Sequence, residues 1–335
     1  MSASPPLLQV IDLARHFPGP RRGLLGLQRG APIKALDGVS FAVASGRTLA
    51  LVGESGCGKS TLARTLLRLH EPTRGTVLLE GEDLVTMGRK ALLERRRDLQ
   101  MIFQDPWGSL NPRRTVGASV REPLDIHRVG TAEERRARVS ELLAEVGLPD
   151  DAGERYPHAF SGGQRQRIGI ARALALSPRF VVADEPVSAL DVSVQAQILA
   201  LLAKLQEERS LSYLFISHDL AVVRQLAHEV AVMYLGKIVE QADAQTLFSA
   251  PAHPYTQALI SAVPVPDPKA RERTRIVLPG DPPDPSAPPP GCPFHPRCPA
   301  AMDSCRRESP PRITLGTAAA GGGHEVSCHL HVPAT

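Results

Sequence analysis

One eight-residue run constrains this chain more than any other feature. Residues 53–60 read Gly-Glu-Ser-Gly-Cys-Gly-Lys-Ser, the complete G-x-x-x-x-G-K-S pattern of a phosphate-binding loop. The run follows an apolar segment that predicts a buried strand, residues 48–52, and precedes a helical pattern over residues 59–70. Glycines let the backbone curl until its N–H groups converge on a phosphate, and the dipole of the following helix favours negative charge there.

The loop predicts a site for a nucleoside triphosphate. We expect Lys59 to reach the β- and γ-phosphates and the Ser60 hydroxyl to ligate Mg²⁺. Cys57 has no evident partner and is expected to serve in packing. The candidate nucleotide-binding residues are Gly53, Glu54, Ser55, Gly56, Cys57, Gly58, Lys59, Ser60 and Thr61.

Strand and helix patterns alternate along the rest of the first 250 residues. Strand patterns at 180–183 and 212–217 are followed by helical ones at 193–208 and 219–227, and a hairpin is predicted from 230–234 and 237–240. Two further strands are predicted at 7–12 and 39–43, separated by an exposed loop from Pro18 to Pro32. Between about 110 and 175 the pattern is helical and rich in charge. The alternation predicts an α/β fold with a sheet covered on both faces.

Composition excludes several classes of protein. The 335 residues carry a formal net charge of +4, which is too mild for a nucleic-acid binder that depends on a basic surface. No run approaches the roughly 20 apolar residues that cross a bilayer, and the first ten residues do not resemble a secretory signal. We therefore expect the chain to work in the cytosol, without nucleic acid as a partner.

Two acidic residues end the strand predicted at 180–183. Asp184 is a candidate Mg²⁺ ligand, and Glu185, beyond the strand end, could polarise the water that attacks the γ-phosphate. An apolar run followed by two acidic residues is common, so this pattern alone is weak evidence for a catalytic site. The phosphate loop earlier in the chain makes the assignment more specific.

A second glycine-containing string opens a helix that continues from Ile168 to Ala175. It reads Ser161-Gly162-Gly163-Gln164-Arg165-Gln166-Arg167. Taken alone, Ser161 is an ordinary helix N-cap and the glycines form a turn. Together with the phosphate loop, the string resembles the signature motif of ATP-binding-cassette (ABC) ATPases.

This resemblance implies a fold and a domain division. The fold is an α/β P-loop NTPase (RecA-like) core with an antiparallel β subdomain and an ABC-specific helical subdomain. The nucleotide-binding domain would cover residues 1–255, with the helical subdomain at about 105–175. Residues 256–335 would form an irregular extension rich in Pro and Cys, which we call the C-terminal extension.

The resemblance also assigns roles to residues that no local pattern singles out. Phe103-Gln104-Asp105 resembles the Q-loop, in which Gln104 senses Mg²⁺ and the γ-phosphate. Ser188-Ala189-Leu190-Asp191 resembles the D-loop, in which Asp191 faces a partner subunit, and Ile216-Ser217-His218-Asp219 resembles the switch, in which His218 contacts the γ-phosphate. Phe17 is the candidate for stacking on adenine.

The chain holds one phosphate loop and one signature motif. In the family it resembles, each ATP lies between the phosphate loop of one subunit and the signature motif of another. Ser161, Gly162, Gly163 and Gln164 would then serve mainly a nucleotide held by a second subunit, either a paralogous ATPase or a second copy of this chain.

Two strings in the last quarter narrow the resemblance to ATPases of dipeptide/oligopeptide importers, specifically their F-type subunit. They are Ala252-His253-Pro254-Tyr255-Thr256-Gln257-Ala258-Leu259 and Gly291-Cys292-Pro293-Phe294-His295-Pro296-Arg297-Cys298-Pro299. The resemblance implies an ATP-hydrolysing subunit at the cytoplasmic face of the cell (inner) membrane. Its partners would be two transmembrane permeases, received by residues 104 to about 155, and through them an extracytoplasmic substrate-binding protein.

Four of the five cysteines lie in the last 44 residues, and 18 of the 31 prolines lie between Pro251 and Pro333. A segment so rich in proline keeps a fixed shape only if something cross-links it. The spacing C-x5-C-x6-C-x22-C fits neither a zinc finger nor a ferredoxin. A disulfide is disfavoured in the cytosol, zinc and uncoordinated thiols stay open, and the family implies a [4Fe–4S] cluster on Cys292, Cys298, Cys305 and Cys328.

Other functions are consistent with the same motifs. A soluble ABC ATPase acting on nucleic acid or ribosomes would normally carry two cassettes or long insertions, and neither is seen. A nickel importer stays open because the permeases and the binding protein select the cargo. A P-loop kinase would leave the signature motif and the D-loop unexplained.

Overall fold

A computed structural model describes residues 5–19, 21–22, 28–263, 275–317 and 323–332 of the chain. Its strands are β1 (Leu8–Phe17), β2 (Arg21–Arg22), β3 (Gln28–Arg29), β4 (Ile33–Val43), β5 (Thr48–Val52), β6 (Arg74–Leu79), β7 (Glu82–Asp83), β8 (Leu99–Ile102), β9 (Phe180–Asp184), β10 (Ser212–Ile216), β11 (Glu229–Tyr234), β12 (Lys237–Asp243), β13 (Arg312–Thr317) and β14 (Gly323–Ser327). Its α-helices are α1 (Lys59–Leu66), α2 (Arg89–Arg95), α3 (Pro106–Ser109), α4 (Val116–Ile126), α5 (Ala132–Glu145), α6 (Gly162–Leu174), α7 (Val192–Arg209), α8 (Leu220–Leu226), α9 (Ala244–Ser249), α10 (Pro254–Ser261) and α11 (Asp303–Arg307).

The chain divides into two compact units, and the first carries the phosphate loop. This unit comprises residues up to 42, residues 49–85 and residues from 218 onward. It contains a sheet with strand order β4-β1-β6-β7, in which β6 runs antiparallel to β1 and β7. It also contains the strands β13-β14-β12-β11-β5 in that order, of which only β11 and β5 pair in parallel.

The second unit comprises residues 43–48 and 86–217. Its strands β10, β9 and β8 pair in parallel in that order, and β9 and β10 are buried at every position. Strands buried on both faces read as continuous apolar runs, which is how β9 and β10 appear in the sequence. Between Ile102 and Phe180, all of it described, the chain forms only helices and turns, and α4, α5 and α6 pack on one another.

The α/β class predicted from the sequence is confirmed by the parallel strands and their connecting helices. The units neither confirm nor contradict the predicted domain boundary at residue 255. Helix α1 is shorter than predicted and ends at Leu66, because Arg68 takes a left-handed φ of 48° and the Leu69 N–H bonds back to the Arg64 carbonyl at 2.8 Å. These are the features of a Schellman-type helix end.

Two other sequence expectations are corrected. The loop predicted from Pro18 to Pro32 contains, within its described residues, the short pair β2–β3. The sequence predicts an irregular C-terminal extension, yet the extension contains the hairpin β13–β14, whose second strand pairs with β12. The extension therefore adds two strands to the edge of a sheet. Among the described helices, none is both long enough and apolar enough to cross a membrane.

Candidate functional site

The loop between β5 and α1 has a backbone that only glycine permits at two of its positions. Gly53 has a φ of +154°, and a Cβ there would lie 2.2 Å from the Met233 carbonyl oxygen. Gly58 has a φ of +112°, and its Cβ would lie 2.4 Å from the carbonyl oxygen of Ala35. L-residues rarely adopt such angles, and no heavy atom tolerates such distances. The glycines of the sequence motif are thus required by the tight approach of β11 and β4 to the loop.

Lys59 lies inside the curl of this loop. Its Nζ donates to the Gly53 carbonyl at 2.7 Å and to the Glu54 carbonyl at 3.0 Å, and the side chain is 5% exposed. The first turn of α1 contains no acidic side chain, so its N–H groups and the Lys59 ammonium favour an anion. Cys57 is buried beside them, and burial raises the pKa of its thiol. The thiol is therefore protonated near neutral pH and serves in packing.

Glu54, the second residue of the loop, is held by residues from far along the chain. The Arg297 guanidinium donates to both of its carboxylate oxygens, at 2.7 and 3.0 Å. The Glu54 N–H donates to the Tyr255 hydroxyl at 2.8 Å. Sequence reasoning missed both contacts: Tyr255 and Arg297 lie within the two strings that resembled importer ATPases, but no local pattern gave either a role.

His218 lies close to the phosphate loop although 165 residues separate it from Gly53 in the sequence. Both line a cavity of about 440 Å³, together with Glu54 and with Asp219 and Leu220 at the start of α8. Asp219 caps α8 by accepting from the Ala221 N–H at 2.8 Å, which fixes the turn after His218. The first unit therefore brings the predicted switch histidine and the predicted phosphate loop to one cavity.

The second unit brings together two further predicted residues. Gln104 Nε2 donates to Glu185 Oε2 at 2.9 Å, across 81 residues of sequence. The contact follows from strand order, because β8 and β9 are parallel neighbours and each residue lies just beyond the end of its strand. Glu185 has a left-handed φ of 46°, and its N–H donates to the Ile216 carbonyl at 3.0 Å. Asp184, directly before it, is 2% exposed.

The predicted signature motif forms the start of α6. Ser161 and Gln164 make a reciprocal capping box, so Ser161 is also the helix N-cap that its residue type predicts. A Cβ at Gly163 would lie 2.4 Å from Cγ1 of Val194, so a larger residue would force the Val194 side chain or one of the two helices to shift. Asp191, the predicted D-loop residue, is exposed at the N-cap of α7.

The segment after Gln104 is held by arginines of α6. The Arg165 guanidinium lies 3.7 Å from the centre of the Trp107 ring, and Arg172 donates to the Ser109 carbonyl. Asp105 caps α3 by accepting from the Trp107 N–H at 2.8 Å. The helix that begins with the signature motif thereby holds α3, which directly follows the predicted Q-loop.

Phe17, the candidate for stacking on adenine, ends β1 and is half-buried. Its ring meets that of His70 edge-on at 5.4 Å, and the Arg15 guanidinium lies 4.5 Å from its centre. These contacts leave the adenine role of Phe17 a prediction.

The four late cysteines share one neighbourhood. All are free thiols; Cys298 is half-buried and the others are buried. Burial raises the pKa of Cys328 to about 11, and repulsion from the sulfur groups of the other three cysteines adds to the rise. Among the described residues, however, no group of three or more His, Cys, Asp or Glu side chains is arranged to hold a metal ion. The four thiols, all within the described residues, are therefore not arranged as metal ligands in this structure.

Two family models match the chain. Residues 36–188 match the model described as ABC transporter, and residues 239–305 match the one described as oligopeptide/dipeptide transporter, C-terminal region. The first match includes the phosphate loop, Gln104, the signature helix and Glu185. The second includes Tyr255, Arg297 and three of the four late cysteines.

Curated relatives match over nearly the whole chain. The oligopeptide transport ATP-binding protein AppF of Bacillus subtilis is 50% identical, covering 97% of this chain and 97% of its own. A probable peptide ABC transporter ATP-binding protein, y4tS of Sinorhizobium fredii, is 51% identical over 98% of this chain and 91% of its own. A putative peptide import ATP-binding protein of Brucella ovis is 52% identical, covering 91% of this chain and 93% of its own.

Solved structures match with a TM-score of 0.62. One is the ATP-binding cassette MJ0796 in a dimeric post-hydrolysis state bound to ADP and phosphate, 30% identical over 71% of this chain and 98% of its own. Another is cbiO1 of Clostridium perfringens, part of the ABC transporter complex cbiONQ. It is 26% identical and covers 73% of this chain and 91% of its own.

Proposed function

The chain belongs to the ABC transporter family of ATP-binding proteins, and from that premise we propose that it is the ATP-hydrolysing subunit of an importer of dipeptides or oligopeptides. The observation that best supports ATP hydrolysis is the glycine-dependent loop with Lys59 inside its curl, which lines one cavity with His218. Peptide import is supported by two relatives, one named for oligopeptide transport and one for a probable peptide transporter, which match nearly the whole chain at about half identity.

We propose roles for the residues of each unit. In the first unit, Lys59 binds the β- and γ-phosphates, residues 53–61 surround them, and His218 contacts the γ-phosphate. In the second, Glu185 is the general base for the attacking water, and the hydrogen bond from Gln104 orients its carboxylate. Phosphoryl transfer depends on positioning and charge neutralisation, which suits fixed groups of this kind.

Each unit offers oxygen donors of the kind that binds Mg²⁺, Ser60 in the first unit and Gln104 and Asp184 in the second. The Ser60 hydroxyl, the Asp184 carboxylate and the amide oxygen of Gln104 are hard oxygen ligands of the kind that Mg²⁺ prefers. Gln104 donates to Glu185 through its nitrogen, so its amide oxygen is available as a ligand. When bound, Mg²⁺ would neutralise charge on the phosphates.

Hydrolysis would require a second subunit. Ser161, Gly162 and Asp191 are exposed at the starts of α6 and α7, consistent with use by a nucleotide held on a partner. The related cassette MJ0796 forms a dimer in its structure with ADP and phosphate. The partner would be a paralogous ATPase or a second copy of this chain.

The importer would place this subunit at the cytoplasmic face of the membrane. Residues 104 to about 155 would receive the cytoplasmic helices of two permeases, and an extracytoplasmic binding protein would deliver the peptide. Two apolar side chains in this segment, Trp107 and Ile126, are 49% and 58% exposed, which is consistent with a protein contact.

For the four late cysteines we keep the family's [4Fe–4S] cluster as a proposal, with zinc as the alternative. Its support is the burial and closeness of four free thiols, and some local rearrangement of the thiols would be needed to ligate a metal. Anaerobic purification followed by an absorption spectrum and iron, sulfide and zinc analysis decides between them. A colourless, iron-free protein with stoichiometric zinc would contradict the cluster, and a protein with neither metal would contradict both.

Peptide uptake tests the proposed function in the cell. Inactivation of the gene should abolish uptake of labelled dipeptides or oligopeptides, and the wild-type gene should restore it whereas Lys59→Ala should not. Unchanged uptake of every peptide tested, from two to five residues, would contradict the proposal of peptide import.

A further inference from the structure

We propose that Arg297 and Tyr255 are positioning residues for the phosphate loop: by fixing Glu54 they hold the loop in the curvature that ATP binding needs. Arg297 belongs to the C-terminal extension and Tyr255 to the first turn of α10, so the peptide-transporter region of the chain would support the nucleotide site directly. The inference rests on the proposed binding of ATP at this loop.

The carboxylate contact has the geometry of a strong ion pair. Two guanidinium nitrogens of Arg297 meet the two oxygens of Glu54 at 2.7 and 3.0 Å, side by side. The side chain of Arg297 is 7% exposed and that of Glu54 is 28% exposed. A two-point contact of this kind, partly shielded from water, fixes direction as well as distance.

The backbone contact acts on the same residue from another element. Tyr255 is fully buried, and its hydroxyl accepts the Glu54 N–H at 2.8 Å. In a phosphate loop, each backbone N–H that bonds elsewhere is withdrawn from the set that converges on the phosphates. Tyr255 therefore helps to define which N–H groups the loop presents.

The two supporting side chains are themselves immobilised. The side-chain Nε of Arg297 donates to the Pro279 carbonyl at 3.2 Å, and the backbone N–H of Arg297 donates to the Phe294 carbonyl at 3.0 Å. The ring of Phe294 packs against those of Tyr255 and Tyr234, with centroids 5.4 and 5.3 Å apart. Because these groups are already ordered, little conformational entropy is lost when they hold Glu54.

A second contact places the extension along the loop. Residues 282–285 line a cavity of about 220 Å³ together with residues 54–57 of the loop. The Pro285 carbonyl accepts the Lys34 N–H at 3.3 Å, which ties this proline run to β4. The loop is therefore flanked by the extension on its Ser55–Cys57 stretch as well as at Glu54.

Charge gives Arg297 a second effect on the site. Without its guanidinium, the Glu54 carboxylate would stand unpaired in a loop that must receive a polyphosphate. Removing Arg297 should therefore weaken ATP binding both by loosening the loop and by adding an uncompensated negative charge beside it.

The experiment measures the dissociation constant of Mg·ATP by calorimetry for the full chain and its variants. Arg297→Ala should weaken binding about tenfold, the loss expected when a charged hydrogen-bonded contact is removed. Tyr255→Phe, which keeps the buried ring, should weaken it about threefold to tenfold through the lost hydroxyl. Arg297→Lys, which keeps the charge but not the two-point geometry, should lie between Arg297→Ala and the wild type.

Two comparisons separate positioning from general destabilisation. Arg307→Ala, an exposed arginine of the same extension, should bind ATP like the wild type. Arg297→Ala introduced into Glu54→Gln should change binding less than twofold further, since the two residues act through one contact. In the assembled ATPase, Arg297→Ala should raise KM for ATP while leaving kcat within about twofold, as expected for lost binding.

Wild-type ATP affinity in both Arg297→Ala and Tyr255→Phe would overturn the inference and leave the proposed function intact. An Arg297→Ala effect of undiminished size in the Glu54→Gln background would also overturn it. A wild-type chain that did not bind Mg·ATP would contradict the proposed function and, with it, this inference.

Discussion

Glu240 anchors the C-terminal part of the first unit, and its replacement provides a quantitative test of the packing. The residue lies in β12 with no exposed surface. Its carboxylate accepts the N–H groups of Ala252 and His253, at 2.7 and 2.9 Å, and lies 2.7 Å from Nε2 of His324 in β14. One buried carboxyl group thus joins the sheet to the turn before α10 and to the hairpin β13–β14.

The magnitude follows from what Glu240→Ala would leave behind. Three buried donors would lose their acceptor, and each unsatisfied buried group costs about 1–3 kcal/mol. Taking the lower end of that range for each of the three donors gives a loss of local stability of about 3 kcal/mol or more. Glu240→Gln should lose less, because Oε1 binds two of the three donors, Ala252 and His324, and an amide oxygen in its place can still accept from both.

Hydrogen exchange resolved by peptide measures this loss locally. A loss of at least 3 kcal/mol corresponds to exchange about a hundredfold faster or more in β14 and in the first turn of α10. Glu325→Ala is the matched control, since this neighbour of His324 pairs with Arg312 at the surface and is 36% exposed. Such pairs contribute about 0–1 kcal/mol, so exchange should change little. If Glu240→Ala exchanges no faster than Glu325→Ala, the buried network does not stabilise this region.

Three further substitutions test the site itself. Lys59→Ala should weaken Mg·ATP binding by about a hundredfold, because it removes a charged donor to two phosphates; near-normal affinity by calorimetry would contradict the loop assignment. Glu185→Gln should retain ATP binding but lower turnover of the assembled complex by about 10²–10⁴, the usual cost of losing a general base, and undiminished hydrolysis would exclude that role. Gly163→Ala should lower the free energy of unfolding by about 1–3 kcal/mol through the clash with Val194. Gly169 lies in the same helix, and a Cβ there would meet no heavy atom within 4 Å, so Gly169→Ala should leave the free energy of unfolding unchanged or raise it by up to about 1 kcal/mol. Equal effects of the two substitutions in denaturant titrations would refute the steric argument.

The sequence predicted those parts of the molecule whose pattern is local. The spacing of Gly53, Gly58 and Lys59 predicts the phosphate loop. Continuous apolar runs predict the buried strands β5, β9 and β10, and a helical pattern predicts the long helix α7. Strand β8 is four residues long and carried no such pattern, so the closeness of Gln104 to Glu185 could not be worked out from local patterns. It depends on which strands are neighbours, and strand order is a property of the whole sheet.

The contacts of the C-terminal extension show most clearly what cannot be predicted from local sequence patterns. Arg297 and Glu54 are 243 residues apart, and neither is unusual in its local sequence. Strand β13 alternates Ile313 and Leu315 with polar residues, but the alternation is short and those two side chains stay half-exposed, so it resembles an ordinary loop. When a segment is stabilised by long-range ion pairs and by pairing at a sheet edge, its own sequence says little about the structure it adopts.

Peptide-stimulated ATP hydrolysis in proteoliposomes tests the central claim most directly. The chain would be reconstituted with its partner ATPase and the permeases with which it assembles, and the binding protein would be added outside. ATP hydrolysis should rise with peptide-loaded binding protein and be accompanied by peptide accumulation, and both should disappear with Lys59→Ala. Hydrolysis that is indifferent to peptide and binding protein, without accumulation, would contradict the account.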